Sequence, residues 1–98
     1  MANYTLTENG STAAFPFQGE GTIAAYKTFD GGTITVEASF DEGATWIAQA
    51  DGTFTAKDSI NIRIGPCQLR FTLSEAGAST DIDISFVGND VRKSSRID

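Results

Sequence analysis

Apolar and polar residues alternate along most of this chain with a period of two. In Thr33-Ile34-Thr35-Val36-Glu37-Ala38-Ser39-Phe40 the alternation is unbroken. Strand side chains point to opposite faces in turn, so Ile34, Val36, Ala38 and Phe40 share one face and Thr33, Thr35, Glu37 and Ser39 the other. The β-branched residues favour the same state. Similar runs predict strands over 3–7, 12–17, 22–28, 53–56, 58–64, 67–73 and 81–87, with a further strand restarting at Thr45-Trp46-Ile47. Turn residues separate them: Asn9-Gly10, Gly19-Glu20-Gly21, Asp30-Gly31-Gly32, Asp51-Gly52, Gly65-Pro66 and the loop around Gly77. Pro16 lacks an amide donor, which places its strand at an edge or at a bulge.

Seven to nine short strands with no helical period make an all-β chain. The expected architecture is an antiparallel β-sandwich, jelly-roll-like or immunoglobulin-like, with a small β-barrel as the alternative. The expected core is Ile34, Val36, Phe40, Ile60, Ile62, Ile64, Leu69, Phe71, Leu73, Ile82, Ile84 and Phe86. Residues 1–88 form the sandwich domain. Residues 89–98 lose the alternation and are expected to be a C-terminal arm, with Val91 and Ile97 as its only large apolar groups.

Ninety-eight residues suit one domain. The net charge of −6 is uneven, because Arg92, Lys93 and Arg96 are three of only seven basic residues. An acidic body repels phosphate backbones, so nucleic acid is not an expected partner. The start of the chain is neither basic nor followed by an apolar run, and no stretch is long and apolar enough to span a membrane. Neither a signal peptide nor a membrane is therefore expected. A single cysteine, Cys67, excludes an internal disulfide. It shares parity with Leu69, Phe71 and Leu73, which predicts an apolar setting rather than a reactive one.

The chain has no histidine, so neither a Ser–His triad nor Cys/His zinc spacing is available; Ser–Lys chemistry stays open. Asp81 and Asp83 lie on one face of a strand, where pairing with Arg63 or Arg70 of a neighbouring strand is expected in preference to a metal. Asp30, Asp41 and Glu42 form a second acidic group, explained by turn chemistry. Tyr4, Tyr26 and Trp46 could make a sugar platform, against the plainer expectation that they cover the core. No catalytic residue, cofactor or metal is expected.

The stretch Ser39-Phe40-Asp41-Glu42-Gly43-Ala44-Thr45-Trp46 carries the pattern Ser-x-Asp-x-Gly-x-Thr-Trp. It resembles the Asp-box of sialidases and several unrelated β proteins, in which the box is a folding device on a hairpin. The resemblance implies that Asp41 and Gly43 set a turn with Trp46 laid over it. A sialidase would need several copies and a far longer chain.

From Gly21 to Val87 the order of features resembles small structural proteins of tailed-bacteriophage virions. It runs through an acidic Gly-Gly turn, Thr-Ile-Thr-Val-Glu-Ala-Ser, Asp-x-Gly-x-Thr-Trp, Ile64-Gly65-Pro66, Leu69-Arg70-Phe71-Thr72-Leu73 and Ile82-Asp83-Ile84. That resemblance implies a capsid decoration or cement protein, or a head–tail component, made in the host cytoplasm and resident in the virion. Its partner would be the major capsid protein or another virion protein, and its own state a homo-oligomer, preferably a trimer. Arg92, Lys93, Arg96 and Ile97 are the expected partner-binding residues. The alternative is a carbohydrate-binding module or a tail-fibre component.

Overall fold

A computed structural model describes residues 2–89 of the chain. Seven strands follow one another: β1 (Ala2–Leu6), β2 (Gly10–Ser11), β3 (Phe15–Thr28), β4 (Thr33–Ser39), β5 (Ile47–Phe54), β6 (Asp58–Ser74) and β7 (Asp81–Asn89). All pair antiparallel in one sheet of order β1-β7-β3-β6-β4-β5, and β2 pairs with β6. The expected arm, with Arg92, Lys93, Arg96 and Ile97, lies outside the described residues. The last strand does not stop at Gly88: Gly88 pairs with Gly21 and Asn89 with Glu20.

Strand β6 cannot be straight. Its 17 residues would span roughly 53 Å if fully extended. Asp58 pairs with Ala25 and Ser74 with Thr33, and a tight turn closes the short segment between β3 and β4. Both ends of β6 are therefore brought toward the same end of the molecule, and the sheet folds over on itself. β1, β7 and the second half of β3 form one layer. The second half of β6, with β4 and β5, forms the other.

The fold line passes through two stretches expected to end strands. Phe17 pairs with Cys67 and Gly19 with Ile64, so Gly65 and Pro66 stand opposite the single residue Gln18. This is a β-bulge, which bends a strand without ending it. Gly19 takes φ of +102°, a conformation glycine adopts freely. Pro16 sits in the part of β3 that pairs with β6 alone, beyond the last β7 partner. Breaker residues at facing positions on paired strands make a corner, whereas each one taken singly reads as a turn.

A second expected turn, Asp51-Gly52, is also absorbed into a strand. Glu37 pairs with Ala48 and Thr35 with Thr53, which leaves Val36 opposite residues 49–52 of β5. The excess bulges outward, and Gly52 is buried against Val36: a Cβ at Gly52 would lie 2.8 Å from Val36 Cβ. The Asp30-Gly31 turn does form, with Gly32 N–H donating to Phe29 O at 2.7 Å and both central residues at positive φ. It is not the turn of a hairpin, because β6 lies between β3 and β4 in the sheet. A loop clasps this turn: Ser79 N–H donates to the Asp30 carboxylate, and the Thr80 hydroxyl donates to Phe29 O.

The core lies between the layers and contains Ile23, Ala25, Ile34, Val36, Ala38, Phe54, Leu69, Phe71, Leu73, Ile82, Ile84 and Phe86, all buried. Aromatic rings join the layers, with Phe71 at 6.5 Å from Phe86, Tyr4 at 5.5 Å from Phe71 and Phe15 at 5.4 Å from Phe86. Phe40 is not in this core but 57 % exposed, because the chain leaves the strand at Ser39 and the parity of the run ends there. Ile60, Ile62 and Ile64 are half-buried. They lie on the first half of β6, which no ladder joins to β5 among the described residues, and an open groove of about 240 Å³ separates the β5 bulge from this apolar row.

Candidate interaction surface at the β4–β5 hairpin

The hairpin between β4 and β5 is organised by Ser39, which is 1 % exposed. Its hydroxyl accepts the Gly43 amide at 2.8 Å and donates to Asp41 Oδ1 at 2.8 Å. The same Asp41 oxygen accepts the Thr45 amide at 2.8 Å. Asp41 thus reaches four residues ahead, and Ser39 takes the amide of the residue between. Glu42 and Gly43 pass through positive φ, at +61° and +92°, where glycine carries no steric penalty. The Ser39 hydroxyl, followed by the Thr45 amide, holds the Asp41 carboxyl below its ordinary range.

Trp46 does lie close to this turn, since a Cβ on Gly43 would be 3.9 Å from its ring. Its main partner is farther along the sheet: the Arg70 guanidinium stacks over the indole at 4.2 Å. Arg70 Nε also donates to Glu37 Oε1 at 2.7 Å, and the Thr72 hydroxyl donates to that same oxygen at 2.7 Å. Burial pushes the Glu37 carboxyl up, but the Thr72 hydroxyl and Arg70 together hold it below its ordinary range. The in-register pairs Glu37–Arg70 and Thr35–Thr72 place this network on the face of the layer opposite Val36 and Phe71.

At the turn end of the hairpin the exposed residues are apolar and acidic. Phe40 is 57 % exposed and Ile47 51 % exposed. Ile47 stands opposite Ala38, two residues before Phe40, so both belong to one end of the hairpin. Asp41 and Glu42 are exposed between them in the chain. Arrangement and chemistry suit contact with another macromolecule: two apolar side chains and two carboxylates, on a loop whose backbone is fixed by its own hydrogen bonds.

The other sequence candidates are dispersed. Asp81 and Asp83 pair with Lys27, at 3.2 Å and 3.6 Å, instead of with Arg63 or Arg70. The register explains this: Lys27 stands opposite Ile82, between the two aspartates, whereas Arg63 pairs with Glu20. The Asp81 and Asp83 carboxylates raise the Lys27 pKa. Asp30 precedes β4 and Asp41 follows it, so the strand separates two residues that had been grouped as neighbours. Among the described residues no three acidic or cysteine side chains come together in a metal-binding cluster. Tyr4 packs on Phe15 and Phe71, and Tyr26 bonds to Ser85. With Trp46 on Arg70, the three aromatics occupy separate places. Cys67 is half-buried beside Phe17 O, and burial pushes its thiol up.

Sequence reasoning missed Ser39 as the buried centre of the turn and missed the Trp46–Arg70–Glu37–Thr72 network. The Ser of the Asp-box pattern was a signal for the first. The second needs the β4–β6 register, because Glu37 and Arg70 are 33 positions apart. No family model, curated protein or solved structure matches the chain.

Proposed function

We propose that this chain is a non-catalytic structural protein that works by protein–protein contact, as a decoration or cement protein on the capsid of a tailed bacteriophage. The observation that carries the reading is the β4–β5 hairpin, which presents Phe40 and Ile47 to solvent on a turn held by Ser39 and Asp41. An exposed phenylalanine on a fixed loop is suited to act as an anchor, since little side-chain and no backbone freedom is lost when it docks. The order of strands and turns from Gly21 to Val87, similar to that of small virion proteins, supplies the capsid as the partner. A sugar-binding module is the weaker reading, because Tyr4, Tyr26 and Trp46 each have a partner of their own and share no face.

The test is co-sedimentation of the purified protein with phage heads stripped of their decoration protein. Wild type is expected to pellet with the heads to a saturating ratio, and Phe40→Ser to bind roughly tenfold more weakly with an unchanged melting temperature. Wild type left in the supernatant would overturn the capsid assignment.

A further inference from the structure

The bend at Gly65-Pro66 leaves half of β6 with a free edge. Residues 68–74 pair with β4, and that stretch meets β3 and β2 on its other side. Among the described residues, 58–64 pair with β3 alone. We infer that residues 58–64 pair antiparallel with the same residues of a second copy, about a two-fold axis at Ile62, so that the chain forms a dimer. The contact does not involve the β4–β5 hairpin.

The outer edges of the sheet are blunted, as exposed edges commonly are. β1 is only five residues long, and β5 carries the bulge at 49–52. The 58–64 edge has no such protection. Its ladder with β3 runs without a shift from Asp58 to Ile64, and it holds no proline. β5 and β6 follow one another through residues 55–57 but diverge instead of pairing, and the open groove of about 240 Å³ lies between them. Ile60, Ile62 and Ile64 line that groove and are half-buried. An unpaired backbone edge beside an unfilled apolar row is suited to take an added strand.

The edge is its own complement. Residues directly opposite in an antiparallel pair share a face. With the axis at Ile62, Ile60 stands opposite Ile64 of the second copy and Ile62 opposite Ile62, so the whole apolar row is matched. On the other face Arg63 stands opposite Asn61 and Ser59 opposite Gly65. Pro66 then stands opposite Asp58 and ends the pairing, since it has no amide to donate. Other registers are worse. An axis at Asn61 sets Asp58 against Ile64, and an axis at Ile60 sets Asp58 against Ile62 and Lys57 against Arg63. An axis between two residues puts the Ile row of one copy on the polar face of the other. Charge selects the same place. The net charge of −6 opposes contact between copies over most of the surface, but Lys57 to Ile64 carries two cations and one anion. The contact is isologous, so it closes at two copies. It joins one layer of each into a continuous sheet β1-β7-β3-β6-β6-β3-β7-β1, in which the isoleucines of each copy cover those of the other.

The experiment is native mass spectrometry with light scattering over a wide concentration range, beside isotope-edited NOE spectra of labelled wild type mixed with unlabelled. Wild type is expected at twice the 10.4 kDa chain mass when concentrated and as single chains when dilute. Between copies, Ile62 methyl groups should contact Ile62, and those of Ile60 should contact Ile64. Ile62→Lys sets two like charges together at the axis and should give single chains at every concentration, with circular dichroism unchanged; Ile62→Val should still pair. Wild type that stays a single chain at every concentration overturns the inference, and is the result expected if the edge takes a strand of another protein. A multiple other than two, an Ile62→Lys chain that still pairs, or contacts between copies away from the isoleucine row overturns it as well. Should Ile62→Lys fail to fold, the wild-type spectra decide alone. Head co-sedimentation separates this inference from the capsid reading: Ile62→Lys single chains that still pellet leave capsid binding standing, and wild-type dimers that do not pellet leave the dimer standing without it.

Discussion

Ser39 and Asp41 divide the work of the hairpin turn. Ser39 is buried and satisfies the Gly43 amide, while Asp41 is exposed and satisfies the Thr45 amide. Ser39→Ala leaves that amide and the Asp41 carboxylate each short of a partner, so the loss of stability should be about 1–2 kcal/mol in urea denaturation. Asp41→Asn should show itself through pH. The folded Asp41 pKa lies below the ordinary carboxylate value, so its contribution is full above the unfolded pKa and is lost as the pH falls through the folded one. Melting temperatures of wild type and Asp41→Asn should differ at neutral pH and converge in acid. A gap that persists below the lowered pKa would place the effect of Asp41 outside its charge. Arg70→Ala removes both the Trp46 stack and the Glu37 bond, with an expected loss of about 1–2 kcal/mol.

At the scale of elements, two glycines inside strands are needed for different reasons. Gly52 has an ordinary backbone conformation but no room, with Val36 Cβ 2.8 Å from where its own Cβ would stand. Gly19 has open space around it but sits at φ of +102°. Gly52→Ala should therefore cost about 1–3 kcal/mol by forcing the β5 bulge off Val36. Gly19→Ala should cost about 1 kcal/mol through backbone strain alone. Urea midpoints measure both, and a larger loss at Gly19 than at Gly52 would contradict the roles assigned here. Hydrogen exchange supplies a second check, because continuous strands through the corner require slow exchange on both sides of Gly65-Pro66.

For the whole molecule, stability should follow the seam between the two layers of the folded sheet. Phe71 is fully buried and touches the rings of Tyr4, Phe15 and Phe86; Phe71→Ala should cost about 3–5 kcal/mol. Ile62 lies beside the open groove and is only half-buried, so Ile62→Ala should cost about 1 kcal/mol. Equal losses at the two sites would mean that the β5–β6 side is as tightly closed as the seam. With Asp30 and Asp41 at opposite ends of β4, micromolar calcium should leave the melting temperature unchanged; a rise of several degrees would reveal a site.

Period-two alternation alone determined the fold class, the antiparallel layers and most of the core, because a strand with one buried face must repeat every second residue. It identified the faces of β4, β7 and the second half of β6, and the Ser-x-Asp-x-Gly-x-Thr-Trp pattern located the hairpin. Local signals could not say what a breaker does once it has a partner. Gly19 and Gly65-Pro66 read as two strand ends, and only their juxtaposition across the β3–β6 ladder turns them into one corner. Asp51-Gly52 reads as a turn until Val36 is seen filling the space that a side chain would need. Phe40 carries the parity of the core yet faces solvent, because Ser39 turns the chain one residue before it. The Lys27 partners of Asp81 and Asp83, and the stack of Arg70 on Trp46, depend on register between distant strands. Register is set by how whole faces pack, so it belongs to the tertiary structure and to no single stretch of the chain.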